Sequence, residues 1–198
     1  MSDVRPPIPV RLIDRPTTGG LVAPWLNVAL ADGGTDFRQA DGTRWRRAWT
    51  EGLCQVCGKP LDPLMVFLGG PDQMTEGGYF DEPPLHPECA HYVTRACPMV
   101  AGRMSHFRKG PSVTEGKRGK ACTTPGCGCG GYVPSEAVLL PDGGAASIAA
   151  TDRTGNEGRP AHPWFAVYAR TYQLAATPEG QLLGGVPRDI LRTRQVSR

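Results

Sequence analysis

The sequence predicts an α+β fold, small and rich in loops, ending in a β-hairpin. Three observations predict it. Glycine (26) and proline (20) punctuate the 198-residue chain, which excludes long helices and a helical bundle. Apolar residues supply only 39% of the chain, so the core is small. Short segments of helical and of strand periodicity follow one another along the sequence. Collagen is excluded by the lack of a G-X-Y period. No run of about 18 apolar residues exists, which excludes a helical membrane span. The length suits one domain or two small ones.

Residues 1–52 read as an extended N-terminal segment and a short helix. The first 24 residues hold five prolines, and only Val10, Leu12 and Ile13 offer anchors. Trp25 to Ala31 reads as a strand, ended by Asp32-Gly33-Gly34. Thr43 to Glu51 reads as a helix: Trp45 and Trp49 fall at i and i+4 with Ala48 beside them, and Gly52 stops it. The tryptophan pair reads as core; the alternative is a platform on which bases stack. Residues 53–140 form a cysteine-rich region. Within it Met65 to Leu68 reads as a buried strand closed by Gly69-Gly70, and Pro87 to Ala96 as a helix. Proline suits the first helical position, and Pro98 stops the helix just after Cys97. Residues 141–160, whose only large aliphatic is Ile148, read as a flexible linker.

Residues 161–198 read as a hairpin and a short helix. The strand WFAVYARTYQL puts Trp164, Ala166, Tyr168, Tyr172 and Leu174 on one face, broken by Arg170. The turn Thr177-Pro178-Glu179-Gly180 leads to a second strand through Gln181-Leu182-Leu183. A last helix is expected from Pro187, with Ile190 and Leu191 inward.

Seven cysteines are an odd number for a disulfide framework. The N-terminus MSDVRPPIPVRLIDRP carries charges and prolines where a signal peptide needs an apolar run. A cytoplasmic location is therefore expected, where thiols stay reduced and metal ligation gains weight. The strongest pattern is Cys54-Gln-Val-Cys57-Gly, followed by His86-Pro-Glu-Cys89. Two thiolates with two residues between them grip one zinc ion from a tight turn, and Gly58 lets the backbone curl so that amides face the sulfurs. His86 and Cys89 sit three apart at a predicted helix start, on one side of its first turn. Backbone N–H groups there favour a thiolate. The predicted ligands of this first site are Cys54, Cys57, His86 and Cys89. Four protein ligands leave no open position, so the site is structural. His91 falls on the other side of the helix. Asp81 and Glu82 read as loop residues, with orientation of His86 as the alternative.

A knuckle, a strand or hairpin between Met65 and Phe80, and a helix carrying the last ligands resemble a treble-clef zinc finger over residues 53–97. The runs CxxCGKPL, PPLHPECAHY and ACPM also resemble segments of short actinobacterial and phage proteins. That likeness implies a metal site and no particular activity. Treble clefs occur in HNH-type nucleases too, which need a histidine on the strand before the helix. Here Tyr79 to Leu85 contains none, so the pattern departs at the residues that would carry the chemistry.

A second cluster, Cys122, Cys127 and Cys129 in ACTTPGCGCGGY, has Cys97 as a fourth candidate. Its glycines let a loop wrap an ion, and four thiolates suit a second zinc or an iron–sulfur cluster. Free thiols or a redox disulfide are the alternative. Between Cys97 and Cys122 lie Arg108, Lys109, Lys117, Arg118 and Lys120, a stretch suited to phosphates or simply to solvent. The net charge of +3 is too small to declare a nucleic-acid binder by itself. No G-x-S-x-G elbow, P-loop, G-x-G-x-x-G after a strand, or H-E-x-x-H occurs. His162 reads as loop punctuation. The sequence therefore predicts a zinc-stabilised binding module with nucleic acid or protein as partner. A metalloenzyme or redox protein built on the second cluster is the alternative.

Overall fold

A computed structural model describes residues 5–29, 33–107, 138–139, 145–146, 158–161 and 163–197. The N-terminal segment makes one 3-10 turn, Val10–Leu12, and two short strands, β1 (Thr17–Thr18) and β2 (Leu21–Val22), paired antiparallel. Only Leu12 of the three expected anchors is buried; Val10 and Ile13 are exposed. Of the strand predicted from Trp25 to Ala31, Asn27–Ala29 form β3, which pairs with β4 (Thr35–Ala40); residues 30–31 lie outside the described residues. Strand β4 is not foreseen from the sequence, because TDFRQA has the polar composition of a loop.

Helix α1 (Gly42–Thr50) starts at Asp41, whose carboxylate accepts from the Arg44 amide at 3.0 Å. Such a cap satisfies one of the donors that a helix start leaves open. Trp45, Ala48 and Trp49 face inward, so the tryptophans are core and no stacking platform. Strand β5 (Met65–Gly69) and helix α2 (Pro87–Ala96) stand where the sequence puts them. Arg103 closes α2 by donating to the carbonyls of Arg95 and Ala96 at 2.7 and 2.8 Å, groups that the helix end would otherwise leave unpaired. Two residue pairs make β6 (Val138–Leu139) and β7 (Ala145–Ala146). The chain ends in a long hairpin of β8 (Trp164–Ala176) and β9 (Leu182–Ser197).

Strands β5, β8 and β9 form one antiparallel sheet in that order. Every residue of β5 is buried, as expected of a continuous apolar run covered on both faces. Val66, Leu68 and Ala166 belong to a core with Leu12, Val56, Tyr92 and Val100. Met65, Phe67, Val167 and Ala169 belong to a second core with Trp45, Trp49 and Phe80. Thus α2 and α1 cover opposite faces of the sheet. In the second core Trp49 stacks on Phe67 at 6.3 Å and meets Tyr172 edge-on at 5.3 Å. The Tyr172 hydroxyl donates to the Trp49 carbonyl at 2.6 Å.

Three expectations are corrected here. No helix begins at Pro187: that residue lies in β9 opposite Tyr172, and Ile190 and Leu191 are exposed. Proline with an acid two positions later mimics a helix start, but pairing with β8 outweighs that local preference. Proline is tolerated because β9 is an edge strand. Nor do the residues between Met65 and Phe80 form a hairpin of their own. After β5 comes a 3-10 turn, Pro71–Met74. Phe80 instead bridges Gly185, with hydrogen bonds of 2.8 and 2.9 Å. Gly184 has φ of 150°, and a β-carbon there would stand 2.0 Å from the Phe80 oxygen, so only glycine admits this close approach. The one-face reading of β8 also fails beyond Tyr168, since Leu174 is exposed and the ladder shifts register at Tyr168/Ala169. Among the described residues, no helix is long and apolar enough to cross a membrane.

Candidate metal centre

The turn Cys54–Gly58 is built by two backbone bonds. The Gly58 amide donates to the Cys54 carbonyl at 2.8 Å, and the Cys54 amide to the Lys59 carbonyl at 2.9 Å. Gly58 takes φ of +72°, and a β-carbon on it would strike the Trp25 ring at 2.6 Å. This knuckle is tied to the N-terminal segment: Trp25 and Leu26 donate to the carbonyls of Val56 and Gln55. On the other side, Val66 and Leu85 exchange hydrogen bonds of 2.8 and 2.9 Å. That bridge delivers the chain to His86, the N-cap of α2, with Pro87 next and Cys89 in the first turn.

Cys54, Cys57, His86 and Cys89 converge, all buried, with their donor atoms within 4.8 Å of one another. Cys57 Sγ lies 3.4 Å from His86 Nδ1. A tetrahedral ion with typical zinc bonds needs about 3.8 Å between sulfurs and about 3.6 Å between sulfur and nitrogen. The Cys57–His86 separation is close to this spacing, and with all four donors within 4.8 Å of one another the site could hold a metal. The other imidazole nitrogen, Nε2, is 2.9 Å from the Pro60 carbonyl. It can only donate there, which fixes the tautomer and leaves Nδ1 free for the metal. Arg11 Nη1, 3.2 Å from the same nitrogen, is then a cation packed beside it rather than a second hydrogen-bond donor to it.

Arg11 also pairs with Asp62 at 2.9 Å and with Glu88. One side chain thus joins the N-terminal segment, the loop after the knuckle and α2. A dication with three thiolates carries one net negative charge, and both Arg11 and Arg15 act electrostatically on Cys57. Arg11, Asp62 and the Pro60 carbonyl escape a reading of the sequence. They lie 24 to 75 positions from His86 along the chain, and no local pattern marks them. The acid beside His86 is Asp62, whose carboxylate lies 3.8 Å from Nε2; the Asp81 carbonyl accepts from the Trp45 indole at 2.6 Å.

Without an ion the four side chains share protons. Cys57 is held far below the ordinary thiol range by hydrogen bonds with Cys54 and Cys89, against burial, with further help from His86 and the Lys59 amide. Cys89 is pushed up by its hydrogen bonds to Cys54 and Cys57 and by burial. Burial lowers the His86 pKa, but the hydrogen bonds and charge of the cysteines outweigh it and carry it to about 10. A raised histidine pKa stabilises the metal-free fold below its ordinary value of 6.5 and loses that contribution as pH rises towards 10. Metal binding runs the other way, because the ion must displace the protons of His86 and Cys89. Each displaced proton raises the apparent metal affinity about tenfold per pH unit. Chelator competition between pH 6 and 8 measures this, and a pH-independent affinity would remove both residues from the ligand set.

Cys97 is the C-cap of α2, half-buried at the edge of the core that also holds the metal centre. Its expected partners Cys122, Cys127 and Cys129 lie outside the described residues, as do Arg108, Lys109, Lys117, Arg118, Lys120 and His162. Most of the linker expected at 141–160 lies outside them too. His91 is exposed on α2 and away from the four donors. No protein-family pattern, no curated protein and no solved structure matches this chain.

Proposed function

We propose that the chain is a zinc-stabilised binding module of treble-clef type that contacts nucleic acid, with a protein as the alternative partner. The observation that carries the reading is the buried, closed set of three sulfurs and one nitrogen. A tetrahedral set of that composition suits zinc. With all four positions taken by protein, the ion has no place for a substrate and supports structure rather than catalysis. The treble-clef part rests on the order of the pieces: a knuckle, the Val66–Leu85 bridge, and a helix with ligands at its start. Nucleic acid is preferred because 18 of the 22 basic residues are arginine, the side chain best shaped for phosphate. A reduced thiol centre of this kind suits the cytoplasm.

Elemental analysis of protein purified without added metal tests the first half, with zinc bound at this centre as the expected result. Iron there, or no metal, would overturn it. The second half is tested by titration with duplex and single-stranded oligonucleotides at about 50 mM salt, where phosphate contacts are strongest. Absence of binding would leave the protein partner.

A further inference from the structure

Beside the metal-side core, helix α2 and strand β9 enclose an open cleft of about 280 Å³, lined by His91, Thr94, Arg95, Arg194, Gln195 and Val196. Its two guanidiniums, Arg95 and Arg194, are exposed and have no acidic partner among the described residues. The reason lies in the sequence of both walls. Helix α2 holds one acid, Glu88, which is engaged by Arg11. Strand β9 holds one acid, Asp189, which accepts from Thr171 at 2.9 Å. Strand β8 behind them holds none. Among the described residues, the cleft therefore carries positive charge with no acid paired to it.

Arg192 extends the row. It stands opposite Tyr168 as Arg194 stands opposite Ala166, so both arginines share one face of β9. Its guanidinium lies over the Tyr168 ring at 4.0 Å. Stacking of this kind holds the planar group in place and leaves its edge donors available for phosphate. Three guanidiniums along a helix and an edge strand exceed what one free phosphate can engage. They suit a polymer of phosphodiesters that runs along the cleft.

We propose that the α2–β9 cleft is the nucleic-acid contact of this protein, with Arg95, Arg192 and Arg194 binding consecutive backbone phosphates. This rests on the nucleic-acid reading above and assigns it a surface. The test compares full-length wild type with Arg95→Gln/Arg194→Gln and with a charge-matched control, Arg46→Gln/Arg47→Gln. The control residues are exposed on α1, across the sheet. Metal content and melting verify that all three fold alike. Against an oligonucleotide, the cleft variant should lose about two from the slope of log affinity against log salt, while the control keeps the wild-type slope. A cleft variant indistinguishable from the control overturns the cleft and leaves the nucleic-acid reading standing. A wild type that binds no oligonucleotide at about 50 mM salt overturns both. Binding of inorganic phosphate alone overturns the proposal in favour of a free anion.

Discussion

Replacement of Cys57 by serine, or removal of the metal with a chelator, should abolish the cooperative fold. Structural zinc contributes on the order of 10 kcal/mol in small fingers, as much as the whole stability of a typical domain. Here the ion would sit where three parts of the chain meet: the knuckle, the first turn of α2 and the N-terminal segment through Arg11. Serine keeps the size of the side chain but offers zinc a far poorer donor. It also leaves His86 and two thiols buried without their common partner. The expected result is a broad, low-temperature melt, loss of near-ultraviolet circular dichroism and substoichiometric metal. A variant with wild-type melting and full metal content would sink the structural role of this centre.

The second large effect lies on the other face of the sheet. Trp49→Ala should cost about 3–5 kcal/mol, the range for emptying a buried aromatic site. Trp49 is 1% exposed and touches Trp45, Phe67 and Tyr172. A β-carbon on Gly185 would come within 2.4 Å of its ring, which shows how closely the β9 backbone is laid on it. Its indole Nε1 is buried with no hydrogen-bond partner. Trp49→Phe removes that unpaired donor along with some volume and should cost much less than alanine. Denaturant melts of the two variants give the comparison. Metal content should stay at the wild-type level in both, because the tryptophan core and the metal centre are separated by the sheet. Metal loss in Trp49→Phe would mean that the two faces are not independent.

The features legible in the sequence are those specified within about ten residues. Helix α2 is bounded by Pro87 and Pro98, and α1 is stopped by Gly52; both have the expected extent within a residue. The four candidate ligands are legible for the same reason, since each pair is a short motif whose geometry its own turn enforces. What escaped depends on distant partners. β4 is a strand because β3 lies beside it, and its own residues are polar. The segment Pro187 to Leu191 has a helical opening, yet twelve paired positions hold β9 against β8. The oxygen that fixes the His86 tautomer belongs to a backbone carbonyl, and a carbonyl leaves no mark in a sequence.

The pairing of β5 with β8 has a consequence for how the chain reaches this state. Gly69 and Phe165 are neighbours in the sheet, and closing the intervening loop of about 95 residues costs roughly 4 kcal/mol of chain entropy. The knuckle, Leu85 and α2 need no such closure, and an ion can gather them early. Non-local strand pairing of this kind is slow. During synthesis the metal half emerges well before β8, and Met65 to Leu68 then present an apolar edge with no strand to receive. The interval between those two events is when this protein is most exposed to self-association. Early capture of an ion would shorten the list of partners that edge can find, because the Val66–Leu85 bridge would already occupy one side of it.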